Sequence, residues 1–233
     1  MKFESNTEIT IGEIVAKDFR AAKLFKEAGI DFCCGGYKFL SDACKEKGSD
    51  LAAIIKQLNL LTERPLGGTI NFNEWELGFL SDYIINTHHN FIRRNLPELF
   101  FYTQKIAQVH GDRHPELLEV AEIFAQMQKE LLLHLIKEEE IVFPAIKKAV
   151  VSATSEVKTI IITEVNCLRG EHEFAGGAMD KIAVLTNRYH IPSDACNTYR
   201  ISLKMLEQFE DDLHIHVHLE NNILYPKAIK LAE

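Results

Sequence analysis

Two stretches of this chain place an imidazole and a carboxylate four residues apart and match again at the residues beyond. HLIKEEEIVFPAIKK (134–148) and HVHLENNILYPKAIK (216–230) share a histidine, a glutamate, an isoleucine, an aromatic residue and a proline in one register. The identities fall at His134/His216, Glu138/Glu220, Ile141/Ile223 and Pro144/Pro226. On a helix, residues i and i+4 are neighbours on one face, with Cβ atoms roughly 5–6 Å apart. An imidazole and a carboxylate at that spacing form a bidentate grip on a metal ion. Two such grips on two helices are how di-metal sites are built inside helical bundles.

The second copy also carries His214 and His218, which alternate with His216 as they would on a strand. A helix instead turns them about 200° away from His216, and the first copy has Leu132 and Ile136 in their places. The shared pattern therefore selects His216 and Glu220. A surface zinc clip made from His214 and His218 is the rival, with only two ligands to offer. Further imidazoles come from His88, His89 and His172, each near the middle of its own helical stretch, level with the two grips. Periodicity alone does not separate His88 from His89.

These residues need long helices to hold them. Four helical stretches with brief breaks fill residues 73–233: from Asn73 to about His110, from Pro115 to about Val150, from Thr154 or Ser155 to near His190, and from Ser193 almost to Glu233. Helices of that length with short connections form an antiparallel up-down-up-down bundle. Pro97, Pro144 and Pro226 inside them imply bends or irregular turns. Residues 1–61 read as short helices, with stops at Gly29 and Gly48 and a DFCCGG turn at 31–36; Ser49 or Asp50 can cap the last helix. Residues 62–72, with Pro65, Gly67 and Gly68, have linker composition. The expected organisation is all-α: a small helical N-terminal domain (1–61), a linker (62–72) and a four-helix bundle (73–233).

Composition narrows the function classes. The 46% hydrophobic fraction supplies a core, and no apolar run approaches the ~18 residues of a membrane helix. The polar, acidic N-terminus lacks the apolar region of a signal peptide, which points to the cytoplasm. The net charge is −8, and all of the excess lies beyond residue 61. An acidic surface repels phosphate backbones, so nucleic acid is not an expected partner. Five cysteines in no disulfide or zinc spacing are expected to be thiols.

The N-terminal DFCCGG, the two His-x3-Glu helices ending in Phe-Pro and Tyr-Pro, the EHE segment at 171–173 and HVHLENNILYP together resemble the hemerythrin-like di-iron proteins for repair of iron centres. The likeness covers nearly the whole chain. In that family the first-helix ligand precedes a Leu-Pro by seven residues, so Leu96-Pro97 selects His89 over His88. The implied ligand set is His89, His134, Glu138, His172, His216 and Glu220, around two iron ions with oxo and carboxylate bridges. Oxygen-carrying hemerythrins use five histidines; four leave more open positions, which favours reactivity or iron release over reversible O₂ storage. Glu130 and Glu171 resemble family carboxylates that line the iron's route, and the structural alternative is that they are ordinary solvated glutamates.

The resemblance implies a stress-response protein that repairs iron–sulfur clusters damaged by nitric oxide or peroxide by supplying iron. Damaged iron–sulfur proteins would be its clients and NO or O₂ its small ligands, with a homodimer left open. A di-iron nitric oxide reductase or peroxidase, or an O₂/NO sensor module, is the alternative. Cys33 and Cys34 lie in a turn before a helix, where backbone N–H groups and the helix dipole favour thiolate. The resemblance inclines them toward redox chemistry or iron transfer rather than structural burial. Cys44, Cys167 and Cys196 read as packing residues.

Overall fold

The computed structural model of the chain describes residues 3–4, 8–63 and 70–233. Four short helices form an N-terminal lobe: α1 (Ile11–Lys17), α2 (Ala21–Glu27), α3 (Leu40–Lys47) and α4 (Leu51–Thr62). Thr10 starts α1 through a reciprocal capping box with Glu13, and Asp50 caps α4 by accepting from Ala52 and Ala53 N–H. Gly48, at φ 64°, ends α3 in the left-handed conformation that a side chain would strain. Pro65, Gly67 and Gly68, which suggested the linker, lie outside the described residues.

The bundle's first helix is α5 (Leu77–Ile84), a π turn (Ile85–His89) and α6 (Asn90–His110). The second is α7 (Glu116–Lys137), a π turn (Glu138–Val142) and α8 (Phe143–Val151). The third is the uninterrupted α9 (Ser155–Leu185), capped by Thr154. The fourth is α10 (Asn197–Leu219), a π turn (Glu220–Leu224) and α11 (Tyr225–Ala232). All four are antiparallel to their chain neighbours, as the short connections required. The prolines have a role in this: Pro144 and Pro226 stand in the first turn after a π segment, where a missing N–H matters least. Pro97 sits within α6.

Three expected boundaries differ. Asn73 does not cap the first helix. It lies in a 3-10 turn (Phe72–Glu74), and Trp75 is extended because Phe72, Trp75 and Tyr83 pack edge-on at 4.8 and 5.0 Å. Ser193 does not open the fourth helix, which starts at Asn197 with Cys196 in the uncapped N-cap position. The third helix stops at Leu185, before His190, because Asn187, Arg188 and Tyr189 all turn left-handed, at φ 49°, 55° and 59°. That turn carries the Tyr189 ring into the interior.

Among the described residues two apolar clusters fill the interior. One joins α5, α8, α11 and the first half of α9. The other runs from Ile11, Phe25 and Leu58 of the N-terminal lobe without a break into Ile92, Phe124, Met179 and Phe209 of the bundle. The lobe and the bundle therefore share one core. Between the two clusters, at the height of the π turns, lies a layer of buried polar side chains.

Candidate metal centre

His89, His134, Glu138, His172, His216 and Glu220 meet in that layer, each at most 1% exposed. Each comes from a fixed place on a helix. His89 and Glu138 and Glu220 sit in or at the edge of a π turn, His134 and His216 lie one turn before the carboxylates, and His172 is mid-helix in α9. A π turn widens the backbone locally and re-aims a side chain, which is why such turns gather at functional sites. The repeat's Glu-x5-Pro spacing marks two of the three π turns.

The six side chains form two groups that share both carboxylates. His89, Glu138, His216 and Glu220 form one; His134, Glu138, His172 and Glu220 form the other, with donor atoms in each group within 4.8 Å of one another. Glu220 turns Oε1 toward His216 Nε2 at 3.0 Å and Oε2 toward His172 Nε2 at 3.2 Å. Glu138 Oε2 stands 3.3 Å from both His89 Nε2 and His134 Nε2. Its other oxygen accepts from the Tyr225 hydroxyl.

The donor set fits metal ions. His89 Nδ1 faces Glu139 Oε1 at 2.7 Å, His134 Nδ1 faces Glu171 Oε2 at 2.9 Å, and His172 Nδ1 faces the Asn221 side-chain oxygen at 3.0 Å. Each of those oxygens accepts, so each Nδ1 carries the proton, and in the neutral ring Nε2 presents a lone pair inward. Pairs of Nε2 atoms then face each other, His89 to His216 at 3.2 Å and His134 to His172 at 3.0 Å. Among the described residues Glu138 Oε2 and both Glu220 oxygens have no hydrogen-bond donor. Lone pairs and buried carboxylates converging this way require positive charge between them.

The electrostatics agree. Burial opposes charging His89 and His134, but Glu138 and Glu220 outweigh it and hold both imidazoles at about 10. Burial and Glu220 push Glu138 up, yet the histidines win and hold it at about 2. Burial dominates at His216 and lowers it. The pocket draws in either protons or cations, and a cation entering it releases protons.

Neighbouring histidines sort clearly. His88 points away, with Nδ1 on Asp212 at 3.0 Å and its ring parallel to His216 at 5.8 Å. His218 is fully buried, so it does not offer a surface clip with His214. His218 Nδ1 donates to the Phe32 carbonyl at 3.3 Å, and burial holds it at about 4, so it is neutral.

Several contributors escaped the sequence: Glu139, Asn221, Tyr225 and Phe143. Tyr225 stacks on His172 at 6.0 Å, as Phe143 stacks on His89 at 5.7 Å. They are the aromatic positions of the repeat, which was the available signal. Glu139 also pairs with Arg93 at 2.8 Å.

Glu171 lies between His134 and a cavity of about 350 Å³ lined by Gln126, Glu130, Cys167, Gly170, Glu171 and Phe174. An ion pair with Lys137 accompanies its bond to His134, and those contacts hold its carboxyl at about 2. Cys167 is exposed at this cavity, not a packing residue, and Cys196 is also exposed, with Sγ 3.2 Å from His110 Nε2. Both sit on outward helix faces or termini. Cys44 is buried.

The thiolate expectation for Cys33 is reversed. Its Sγ contacts that of Cys34 at 3.9 Å, and Cys34, burial and Asp31 push its thiol well up. The backbone N–H groups of Cys33, Cys34 and Gly35 are spent on the Asp31 carboxylate, and the next helix starts only at Leu40. Cys34 is half-buried, with Sγ 3.5 Å from the His172 carbonyl. The DFCCGG turn thus lies against the helix that carries His172.

Comparison with known families matches residues 81–228 to the hemerythrin HHE cation binding domain and residues 7–62 to the ScdA N-terminal domain, described as a domain of unknown function. The iron–sulfur cluster repair protein YtfE of Enterobacter sp. (strain 638) is 33% identical over 222 residues, 94% of this chain and 96% of that protein. ScdA of Staphylococcus haemolyticus, also named an iron–sulfur cluster repair protein, is 33% identical over 220 residues, covering 94% and 97%. A probable iron–sulfur cluster repair protein of Haemophilus influenzae is 35% identical over 212 residues, covering 90% and 91%. Among the described residues no helix is long and apolar enough to cross a membrane.

Proposed function

We propose that this chain, which belongs to the family of iron–sulfur cluster repair proteins with a hemerythrin HHE cation-binding domain, holds two iron ions in its buried layer and supplies iron to damaged iron–sulfur clusters. The observation that carries this is the pair of His₂ groups sharing Glu138 and Glu220. Mixed imidazole and carboxylate ligation suits iron in both common oxidation states, and two ions held there would supply labile, redox-active iron. His89 and His216 would hold one ion, His134 and His172 the other, and the two glutamates would span both.

The chain's own residues then set orientation and access. Glu139, Glu171 and Asn221 fix the imidazole tautomers from outside, an arrangement that raises ligand basicity and retention. Tyr225 donates to Glu138 and holds that carboxylate in place. On the His134 side, Glu171 and Glu130 line the cavity and offer a carboxylate path between the buried layer and solvent. Cys34 lies against the His172 backbone with Cys33 beside it, where a thiol pair can act as a soft, transient ligand or a redox couple. Clients are iron–sulfur proteins damaged by nitrosative or oxidative stress.

The test adds iron-loaded protein to a [4Fe–4S] dehydratase inactivated by nitric oxide and follows its activity while NO is measured in parallel. Recovery with iron leaving the repair protein supports donation. Recovery that tracks NO loss, with iron retained, would replace donation by NO reduction.

A further inference from the structure

A third carboxylate–imidazole pair at helical spacing lies outside the layer already described. Glu210 and His214 are i and i+4 on α10, with Asp180 of α9 opposite. The donor atoms of all three lie within 4.8 Å of one another. Glu210 is 6% exposed, a buried carboxylate whose nearest cation, Lys26 Nζ, stands off at 3.9 Å and is engaged more closely by Asp211. His214 is half-buried, with its ring edge-on to Phe32 at 6.1 Å. Asp180 is exposed and gives solvent access.

An independent feature points into the same place. Tyr189 is 7% exposed, and its hydroxyl has no hydrogen-bond partner among the described residues. The left-handed turn at 187–189 aims it at Glu210 and Asp180; burial, then the charge and contact of Glu210, then Asp180, raise the phenol. The Glu210 carboxylate beside it interacts with that hydroxyl without a well-aligned hydrogen bond.

We infer that Asp180, Glu210 and His214 form a separate mononuclear site for a divalent first-row transition cation at the seam between the N-terminal lobe and the bundle. Two carboxylates and one imidazole suit Zn²⁺, Fe²⁺ or Mn²⁺ over Mg²⁺ or Ca²⁺, which prefer all-oxygen sites. The site joins α9 to α10 beneath α2 and the DFCCGG turn, so filling it would tie down the face that carries the thiols. It does not depend on what occupies the central layer.

Equilibrium dialysis of the full chain against Zn²⁺, with metal counted by mass spectrometry, tests this after the central layer has been loaded with iron. One further ion per chain is expected. His214→Ala and Asp180→Asn should each weaken that ion at least tenfold while central iron and helicity stay unchanged. Zn²⁺ should also raise the unfolding temperature of the unaltered chain and not that of His214→Ala. No additional ion, or an additional ion kept by both variants, overturns the site. Mg²⁺ matching Zn²⁺ in affinity overturns the choice of cation.

Discussion

The two copies of the repeat agree on their inward face and part company on the next. In the first, Glu138 is followed by Glu139 and Glu140; in the second, Glu220 is followed by Asn221 and Asn222. The middle residue does the same work in both: Glu139 receives His89 Nδ1, and Asn221 receives His172 Nδ1. The third position differs. Glu140 is exposed, whereas Asn222 donates to the carbonyls of Phe32 and Cys33 at 3.3 and 3.0 Å. Four residues earlier, Ile136 is 46% exposed where His218 is fully buried. Gly12 and Gly36 press so close to Asn222 that a Cβ on either would lie 2.2 or 2.3 Å from its oxygen. One helical face therefore serves solvent in the first copy and docks the N-terminal lobe in the second. A single motif can be duplicated for its metal grip and then diverge on the face the grip does not use.

The sharpest break of the shared face is Glu220→Ala. Both of its oxygens face histidines, one in each group, so we expect loss of both irons, whereas His172→Ala should remove ligation from only one group. Metal content of purified protein, with helicity as the folding control, decides this. An unchanged iron count in Glu220→Ala would sink the shared-carboxylate assignment. His218→Ala should keep both irons, since His218 faces Phe32.

The docking face should be sensitive to acid in a way the first copy is not. His218 is buried neutral, held at about 4 against an ordinary value near 6.5. The sign depends on which state binds the proton first. Above pH 6.5 neither state does, and the group has no effect. Below it the unfolded chain is protonated while the folded one is not, so stability falls until the folded value is reached. The loss amounts to about 3 kcal/mol by pH 4. Denaturant titrations at pH 7.5 and below should show this in the unaltered chain and much less in His218→Gln. Equal acid sensitivity in both would remove His218 from the account.

Asn222→Ala should cost about 2 kcal/mol, since the Cys33 carbonyl loses its donor and the Phe32 carbonyl keeps only His218. Hydrogen exchange should accelerate across residues 31–36, and iron should stay. Glu140→Ala, its counterpart, should do neither. Faster exchange throughout the bundle would mean that Asn222 supports the core and not the lobe.

How much of this was legible in the sequence depends on what each feature rests on. Periodicity and spacing exposed the four helices, the two His-x3-Glu pairs and the level of His172, because a helix converts sequence distance into direction. The π turns were not legible as such, since they depend on where the helices need extra width; only the prolines after them hinted at irregularity. Asn73 and His190 read as helix ends, but aromatic packing at Trp75 and the left-handed turn that buries Tyr189 moved them. Cys33 failed for a different reason. Its neighbours in sequence suggested free N–H donors, and only the fold revealed that Asp31 had taken them. The lobe's docking was equally hidden, because Asn222 and Gly36 are far apart in the chain.

The smallest effect belongs to the middle residue, where the copies differ only in charge. Glu139 is an anion paired with Arg93, and Asn221 is neutral. A carboxylate behind a metal-bound imidazole makes the ring a stronger donor than an amide does, and loss of such a partner costs roughly 10–100-fold in retention. Glu139→Gln keeps an oxygen for His89 Nδ1 and removes only the charge, so the lower end applies, about tenfold. Asn221→Asp makes the second copy resemble the first and should move retention the other way. Iron release rates into a chelator measure both. The expected pattern is faster release of one iron of the two in Glu139→Gln and slower release of one in Asn221→Asp. If both variants speed release, the middle residue acts through geometry and not charge, and the likeness of the two copies at this position is one of shape alone.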